Sequence, residues 1–362
     1  MAADAKNISL NFVTGTAAEL IKIYPVIAMA VARGYGVRVV STGQSRENFL
    51  MQYRDLRLDE SLLSAMMTSE GDLGQASSAL KWFFRALFVS PGKFRSSLLV
   101  REKTFVVVHG DTLSTLVGSL LARRAGFPIV HVEAGLRSPS LLNPFPEEIN
   151  RRWVSKLATY HMAPDTTAEM NLKRARVKGK VVVTRGNTLL DAVTMVDGVN
   201  ANRTSAYALV NIHRFENLNS SSRWSVILDT VARAAEKTKV IFVMHPQTRH
   251  KLDNDAAALA KLTHPNIELR DRMPFSEFIG LLKRADYLIS DGGSNQEECS
   301  YLGKPCLILR ERTERTEGLD TCCLLTRFDQ KLIDGFLANP SKYAAPALAN
   351  SESPTQVILN SL

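Results

Sequence analysis

The chain has 362 residues, of which 45% are hydrophobic and 22% charged, and it carries a formal net charge of +9. That length exceeds one ordinary core and predicts two domains. No apolar run is long enough to span a bilayer, and the opening MAADAKNISLNFVTG lacks the basic and apolar stretches of a signal peptide, so a cytoplasmic location is expected.

In chain order, the first half alternates strand-like and helix-like segments. Ile8–Thr14 reads as a strand, followed by a helical pattern through Arg33 and a strand at Val37–Ser41. Leu80–Leu99 breaks the regularity. It mixes Trp82, Phe83, Phe84, Phe88 and Phe94 with Lys81, Arg85, Lys93 and Arg95. Such a segment suits either a peripheral contact with an anionic membrane or helices packed on the first domain or a partner subunit.

Next come a strand at Phe105–Val108, a helix over Thr112–Ala125 and a strand at Ile129–Val132. A helix over Glu147–Ala158, a strand at Tyr160–Ala163, a helix after Asp165 and a strand at Val181–Thr184 follow. The polar stretch Asp197–Ser205 reads as a linker.

A second series then places strands at Tyr207–Ile212, Val240–Met244, Ile267–Arg270, Tyr287–Ser290 and Cys306–Leu309. Its helices fall at Ser222–Lys237, Asp253–Thr263, Pro274–Ala285 and Asn295–Leu302, with Pro274 suited to a first helical position. Near the end, Ser353 and Pro354 mark the start of a last helix. The alternation predicts an α/β protein of two Rossmann-like, doubly wound domains with a cleft at their strand ends. The expected divisions are 1–197, 198–340 and a tail, 341–362, packed back on the first domain.

The charge calls for anionic partners. The basic residues are scattered, however, and interleave with no aromatic array of the kind that stacks bases, so nucleic acid is not expected. Cys299, Cys306, Cys322 and Cys323 match neither a disulfide framework nor a zinc spacing.

Asp111 and Glu133 each fall just past a strand, where ligands bind in open α/β sheets, and Glu147 and Glu148 open a helix that also holds Arg151. Uncompensated carboxylates are costly to bury, so their gathering predicts chemistry. Asp111 also suits a helix N-cap, and the two glutamates a helix dipole. In the second half, Gly292 and Gly293 let backbone amides approach a phosphate at a helix start, and His245 follows a strand.

Taken as an ordered set, HGDT, HVEAGLR, PFPEEINR, GNTLLDA, IHRFEN, DGGSNQEE and LGKPCLILRERTER resemble the UDP-N-acetylglucosamine 2-epimerases of the non-hydrolysing branch. The resemblance runs from about Thr14 to Gly318 and implies a GT-B-like fold. It implies interconversion of UDP-N-acetylglucosamine and UDP-N-acetylmannosamine, or of a related UDP-acetamido sugar, by loss and return of UDP through 2-acetamidoglucal. It assigns catalysis to Asp111, Glu133, Glu147 and His213. Substrate binding falls to Lys22, Arg151, Arg214, His245, Gly292, Gly293, Ser294, Glu297 and Arg315, with UDP itself as a further ligand. It implies a homodimer and neither metal nor redox cofactor.

The chain departs from the pattern at Ala17, where the family carries arginine, at Gly292 in place of a serine, and at Ser45 in place of a histidine near a regulatory site. Alternatives are a hydrolysing 2-epimerase, a GT-B glycosyltransferase acting on a lipid-linked acceptor, and a non-catalytic UDP-sugar sensor.

Overall fold

Short β-branched runs become two parallel sheets in the computed structural model, which describes residues 5–66, 76–138, 146–196, 206–313, 315–348 and 352–362. The first sheet holds β1 (Ile8–Thr14), β2 (Gly36–Ser41), β3 (Leu63–Ala65), β4 (Lys103–His109), β5 (Ile129–Val132), β6 (Tyr160–Ala163) and β7 (Lys180–Val183). Their order is β3-β2-β1-β4-β5-β6-β7. Every neighbouring pair is parallel. Winding reverses between β1 and β4, and such a switch point opens a crevice at the carboxyl ends of the strands.

The second sheet repeats the plan. It holds β8 (Tyr207–Asn211), β9 (Lys239–Met244), β10 (Ile267–Asp271), β11 (Tyr287–Ser290), β12 (Cys306–Ile308) and β13 (Cys323–Leu325), in the order β10-β9-β8-β11-β12-β13. Its switch point lies between β8 and β11. The three-residue strands β3 and β13 are too short to show periodicity, and the sequence reading does not contain them.

The described chain divides into two units, Met1–Met195 with Asn350–Leu362, and Val196–Ala349. The divisions at 195/196 and 349/350 compare with 197/198 and 340/341 in the sequence reading. The expected linker, 197–205, lies outside the described residues.

Packing follows helical periodicity. Helix Ala17–Ala32 buries Leu20, Ile23, Val26, Ile27 and Ala30, and helix Ser221–Ala235 buries Trp224, Ile227, Leu228 and Val231. The last helix, Pro354–Asn360, starts on a Ser353/Gln356 capping box and belongs to the first unit. The Thr355 N–H donates to Asp191 Oδ2 at 2.8 Å, and Arg33 donates to Asn360.

Several expectations are corrected. The N-cap of helix Leu113–Arg124 is Thr112, whose hydroxyl takes the Thr115 N–H, so Asp111 is released from capping. Pro274 is an N-cap rather than a first helical residue. The expected helix Asp253–Thr263 is shorter, Ala256–Lys261, because Asp255 caps its start through the Ala258 N–H, and it follows a helix not expected from the sequence, Pro246–Asp253.

The four cysteines are all free and buried in the second unit. Cys306 and Cys323 are in register on β12 and β13, and the sulfurs of Cys322 and Cys323 lie 3.8 Å apart. Burial pushes the Cys299 thiol up to about 11, away from thiolate chemistry.

Trp82 and Phe94, in the basic aromatic stretch, enter the core beside Val13, Val108 and Val117. The Trp82 indole N–H donates to the Thr42 carbonyl at 3.2 Å. Phe84 and Phe88 remain 52% and 85% exposed. No described helix is long and apolar enough to cross a membrane.

Two stability tests follow from this packing. Gly15 sits where a Cβ would overlap the Ser114 and Thr42 hydroxyls. Gly15→Ala is therefore expected to destabilise the first unit by about 1–3 kcal/mol in urea titration. His131 is fully buried, with Nε2 2.8 Å from the Gly110 carbonyl, and burial lowers it from 6.5 to about 3. Between those values the unfolded chain holds the extra proton. Stability is therefore complete above the unfolded value and declines as pH falls toward 3, by up to roughly 1.4 kcal/mol per pH unit. Urea midpoints from pH 7.5 to 4.5 should fall less steeply in His131→Gln than in the wild type.

Candidate active site

The carboxyl edge of the first sheet carries the acids. Glu133, directly after β5, has φ of 62°, in the left-handed region that residues with a Cβ rarely enter. This turn brings its Oε2 to the Lys22 ammonium at 2.6 Å and to the Asn187 amide, which also donates to it. His109 Nε2 lies 3.8 Å from the same oxygen. The Lys22 and Glu133 side chains are both nearly buried. Removing either partner would strand the other charge away from water.

Asp111 follows β4 and Gly110. Arg151 holds its Oδ2 with Nε at 2.8 Å and Nη2 at 2.5 Å, and Asn150 donates to its backbone carbonyl at 2.8 Å. Helix Glu147–Leu157 is thereby latched to the β4 loop. Glu148, fully buried in its first turn, accepts from the Ser138 N–H and Arg152 Nε, both at 2.9 Å. Glu147 lies one turn before Arg151, and among the described residues its buried Oε2 has no hydrogen-bond partner.

Both loops at this switch point are tied by Glu19. One carboxylate oxygen takes the Gly15 and Thr16 N–H groups at 2.9 Å, and the other takes the Thr112 and Thr115 hydroxyls at 2.6 and 3.0 Å. Burial raises its pKa, and these donors oppose the rise. Ala17, where the resembled family has arginine, opens the helix that Thr16 and Glu19 cap.

In the second unit, Asp291 after β11 is the corresponding tie. It is fully buried and accepts the His213 N–H, the Arg214 N–H and the Asn217 amide at 3.0, 3.0 and 2.9 Å. His213 therefore sits at the carboxyl end of β8, with Nδ1 3.2 Å from Asn211 Oδ1 and its ring 5.6 Å from that of His245. Burial lowers its pKa, Asp291 opposes this, and Arg214 and Arg272 reinforce it. Burial and then Arg272 hold His245 at about 4, so its ring is neutral at physiological pH.

Arg214 Nε donates to the Asp291 carbonyl at 2.9 Å. Gly292 caps helix Gly293–Leu302, and a Cβ there would approach Asn295 and His213 at 2.7 and 3.0 Å. Ser294 is exposed on the first turn of that helix. Glu297 is buried and takes Arg315 Nη1 at 3.1 Å. Gln296 Nε2 donates to the Arg315 and Glu317 carbonyls at 3.2 and 2.8 Å.

The structure thus brings Lys22 to Glu133, Arg151 to Asp111, Arg315 to Glu297 and His213 to His245. Glu147 and Ser294 stand apart from such pairs. Sequence reasoning missed Glu19, Asn187 and Arg272. Arg272 is detectable in hindsight because it directly follows β10, and Asn187 because GNT closes the first alternating run.

A profile described as UDP-N-acetylglucosamine 2-epimerase matches residues 29–333. The UDP-N-acetylglucosamine 2-epimerase of Salmonella borreze is 31% identical over 333 residues, 85% of this chain and 83% of that protein. The Neisseria meningitidis UDP-GlcNAc 2-epimerase, solved bound to UDP-GlcNAc, is 25% identical with a TM-score of 0.76, covering 98% of each chain. The Methanocaldococcus jannaschii enzyme, solved with UDP-GlcNAc and UDP, is 25% identical with a TM-score of 0.74 and the same coverage. With sequence motifs, fold and relatives in agreement, this chain belongs to the UDP-N-acetylglucosamine 2-epimerase family.

Proposed function

We propose that the protein is a UDP-sugar 2-epimerase interconverting UDP-N-acetylglucosamine and UDP-N-acetylmannosamine. Family membership supports the reaction class, and the pairing of Glu133 with Lys22 and of Asp111 with Arg151 is the observation that carries the assignment of residues.

The C2 hydrogen of an acetamido sugar has no adjacent carbonyl to acidify it, so its removal must be coupled to loss of UDP from C1. A carboxylate takes the proton, the C2–H electrons form the C1–C2 double bond, and the C1–O pair leaves on UDP. Re-addition of UDP at C1, with a proton delivered to the opposite face of C2, completes the inversion. Asp111, Glu133 and Glu147 serve as the acids and bases, since carboxylates in unlike settings can hold and release protons in turn.

His213 hydrogen-bonds or protonates the departing diphosphate. Lys22 and Arg151 stabilise negative charge around the sugar while holding two of the acids. In the second unit, the N–H groups at Gly293 and Ser294, with Arg214 and His245, receive the diphosphate. Glu297, oriented by Arg315, accepts the ribose hydroxyls. A nucleotide sugar is the partner that uses this chemistry. Two copies of the chain associate, through apolar surface that includes the exposed Phe84, Phe88 and Trp153.

Turnover of UDP-N-acetylglucosamine in heavy water should place deuterium at C2, read by proton NMR. Absence of C2 exchange with any UDP-acetamido sugar overturns the function. Phosphorus NMR showing free UDP in step with substrate loss would instead identify a hydrolysing enzyme. Asp111→Asn, Glu133→Gln and His213→Asn should each lower kcat by about 10²–10⁴-fold. Sedimentation of Phe88→Ser should show more monomer than the wild type, and unchanged sedimentation would remove Phe88 from the self-association.

A further inference from the structure

We propose that Asn187 is a positioning residue for the reaction: with Lys22 it fixes the carboxylate of Glu133 in one orientation and in its ionised form. This inference rests on the 2-epimerase function proposed above and adds a residue to it.

The argument begins with the amide of Asn187. Its Oδ1 accepts the Leu189 N–H at 3.0 Å, and its backbone carbonyl accepts the Leu190 N–H at 3.0 Å, so Asn187 opens helix Leu189–Met195. That cap decides which end of the amide faces Glu133. With Oδ1 committed to the helix, Nδ2 points at Glu133 Oε2 and donates to it. Lys22 Nζ reaches the same oxygen at 2.6 Å.

An amide NH₂ and an ammonium can only donate. Glu133 Oε2 must therefore act as an acceptor toward both, which favours the carboxylate over the acid. Burial limits the freedom of the arrangement. Asn187 is 7% exposed, and Thr188 and Leu189 beside it are buried.

The chain enters this position through a forced turn. Arg185 has φ of 58° and Gly186 φ of 152°, while the Thr184 hydroxyl lies 2.8 Å from the Gly186 carbonyl it donates to. Glu133 meets it from another left-handed turn at φ of 62°. Two strained turns, after β5 and β7, thus face one amide–carboxylate contact. Strain of this kind persists where the surrounding structure enforces it, and it concentrates at functional sites.

The cap and the Glu133 contact can be separated by substitution. Asn187→Asp keeps an oxygen for the Leu189 N–H but replaces the donor with a second carboxylate. Asn187→Ser keeps a capping oxygen and is too short to reach Glu133. Asn187→Ser should unfold in urea near the wild-type midpoint, whereas Asn187→Asp, which buries a second carboxylate against Glu133, should unfold at a lower one while remaining folded in buffer. With UDP-N-acetylglucosamine in heavy water, both should lose about 10–100-fold in kcat, with KM changed less than about threefold. The acidic limb of kcat/KM should move up by about one pH unit in Asn187→Asp, because like charge disfavours ionised Glu133.

Wild-type kcat and pH profile in both folded variants, with Glu133→Gln inactive, would overturn the role of Asn187 and leave the epimerase function standing. A rise in KM alone would also overturn it, by making Asn187 a substrate contact. Full C2 exchange in Glu133→Gln would remove Glu133 from the reaction, and this inference with it, while exchange itself would still report a 2-epimerase.

Discussion

Buried carboxylates that accept main-chain N–H groups hold this protein's loops in place, and everything chemical in it hangs from those loops. In the first unit Glu19 takes the Gly15 and Thr16 N–H groups on one side and the Thr112 and Thr115 hydroxyls on the other. In the second, Asp291 takes the His213 and Arg214 N–H groups and the Asn217 amide. Each lies at the point where the winding of its sheet reverses. A parallel sheet ends all its strands at one edge, so the loops there are long neighbours with unsatisfied N–H groups. A buried carboxylate is costly alone, and three or four donors offset that cost while fixing the loops that supply them.

The functional side chains inherit their geometry from these ties. Thr112 belongs to the Glu19 network and caps the helix after β4, which leaves Asp111 free to meet Arg151. His213 and Arg214 present their side chains from a backbone clamped by Asp291. The histidines divide by setting: His131 is buried against a carbonyl and serves the core, whereas His213 and His245 stand at the carboxyl edge, lowered by burial and by nearby arginine. Neutral imidazoles there can donate a hydrogen bond to an anionic group without adding positive charge to an edge that already holds Arg214 and Arg272.

Charge pairing shapes the acids in different ways. Glu133 meets a cation and an amide on one oxygen, Asp111 meets two nitrogens of one arginine, and Glu147 keeps a buried oxygen that has no hydrogen-bond partner among the described residues. Three carboxylates of one chemistry are thus placed in three electrostatic settings, which is what separate proton-handling roles require. Lys22, in helix Ala17–Ala32, keeps a cation at the Glu133 carboxylate.

Much of the architecture was legible before any coordinates. Strands such as Tyr160–Ala163 and Tyr287–Ser290 declare themselves because a buried parallel strand is a short apolar run between turns. The helix start after Asp165 and the cap at Ser353 were legible because their chemistry is local. Family motifs carried the candidate residues, which physical patterning by itself left as loop acids or cap residues. The partners of those residues were not legible. Lys22 and Glu133 are 111 positions apart, and Asp111 and Arg151 40 apart. Cys306 and Cys323, 17 positions apart, meet only because β12 and β13 pair in register. Local propensity and hydrophobic period are written along the chain and so determined the elements. Which charge meets which depends on strand order and loop closure, and only the folded sheets decide it.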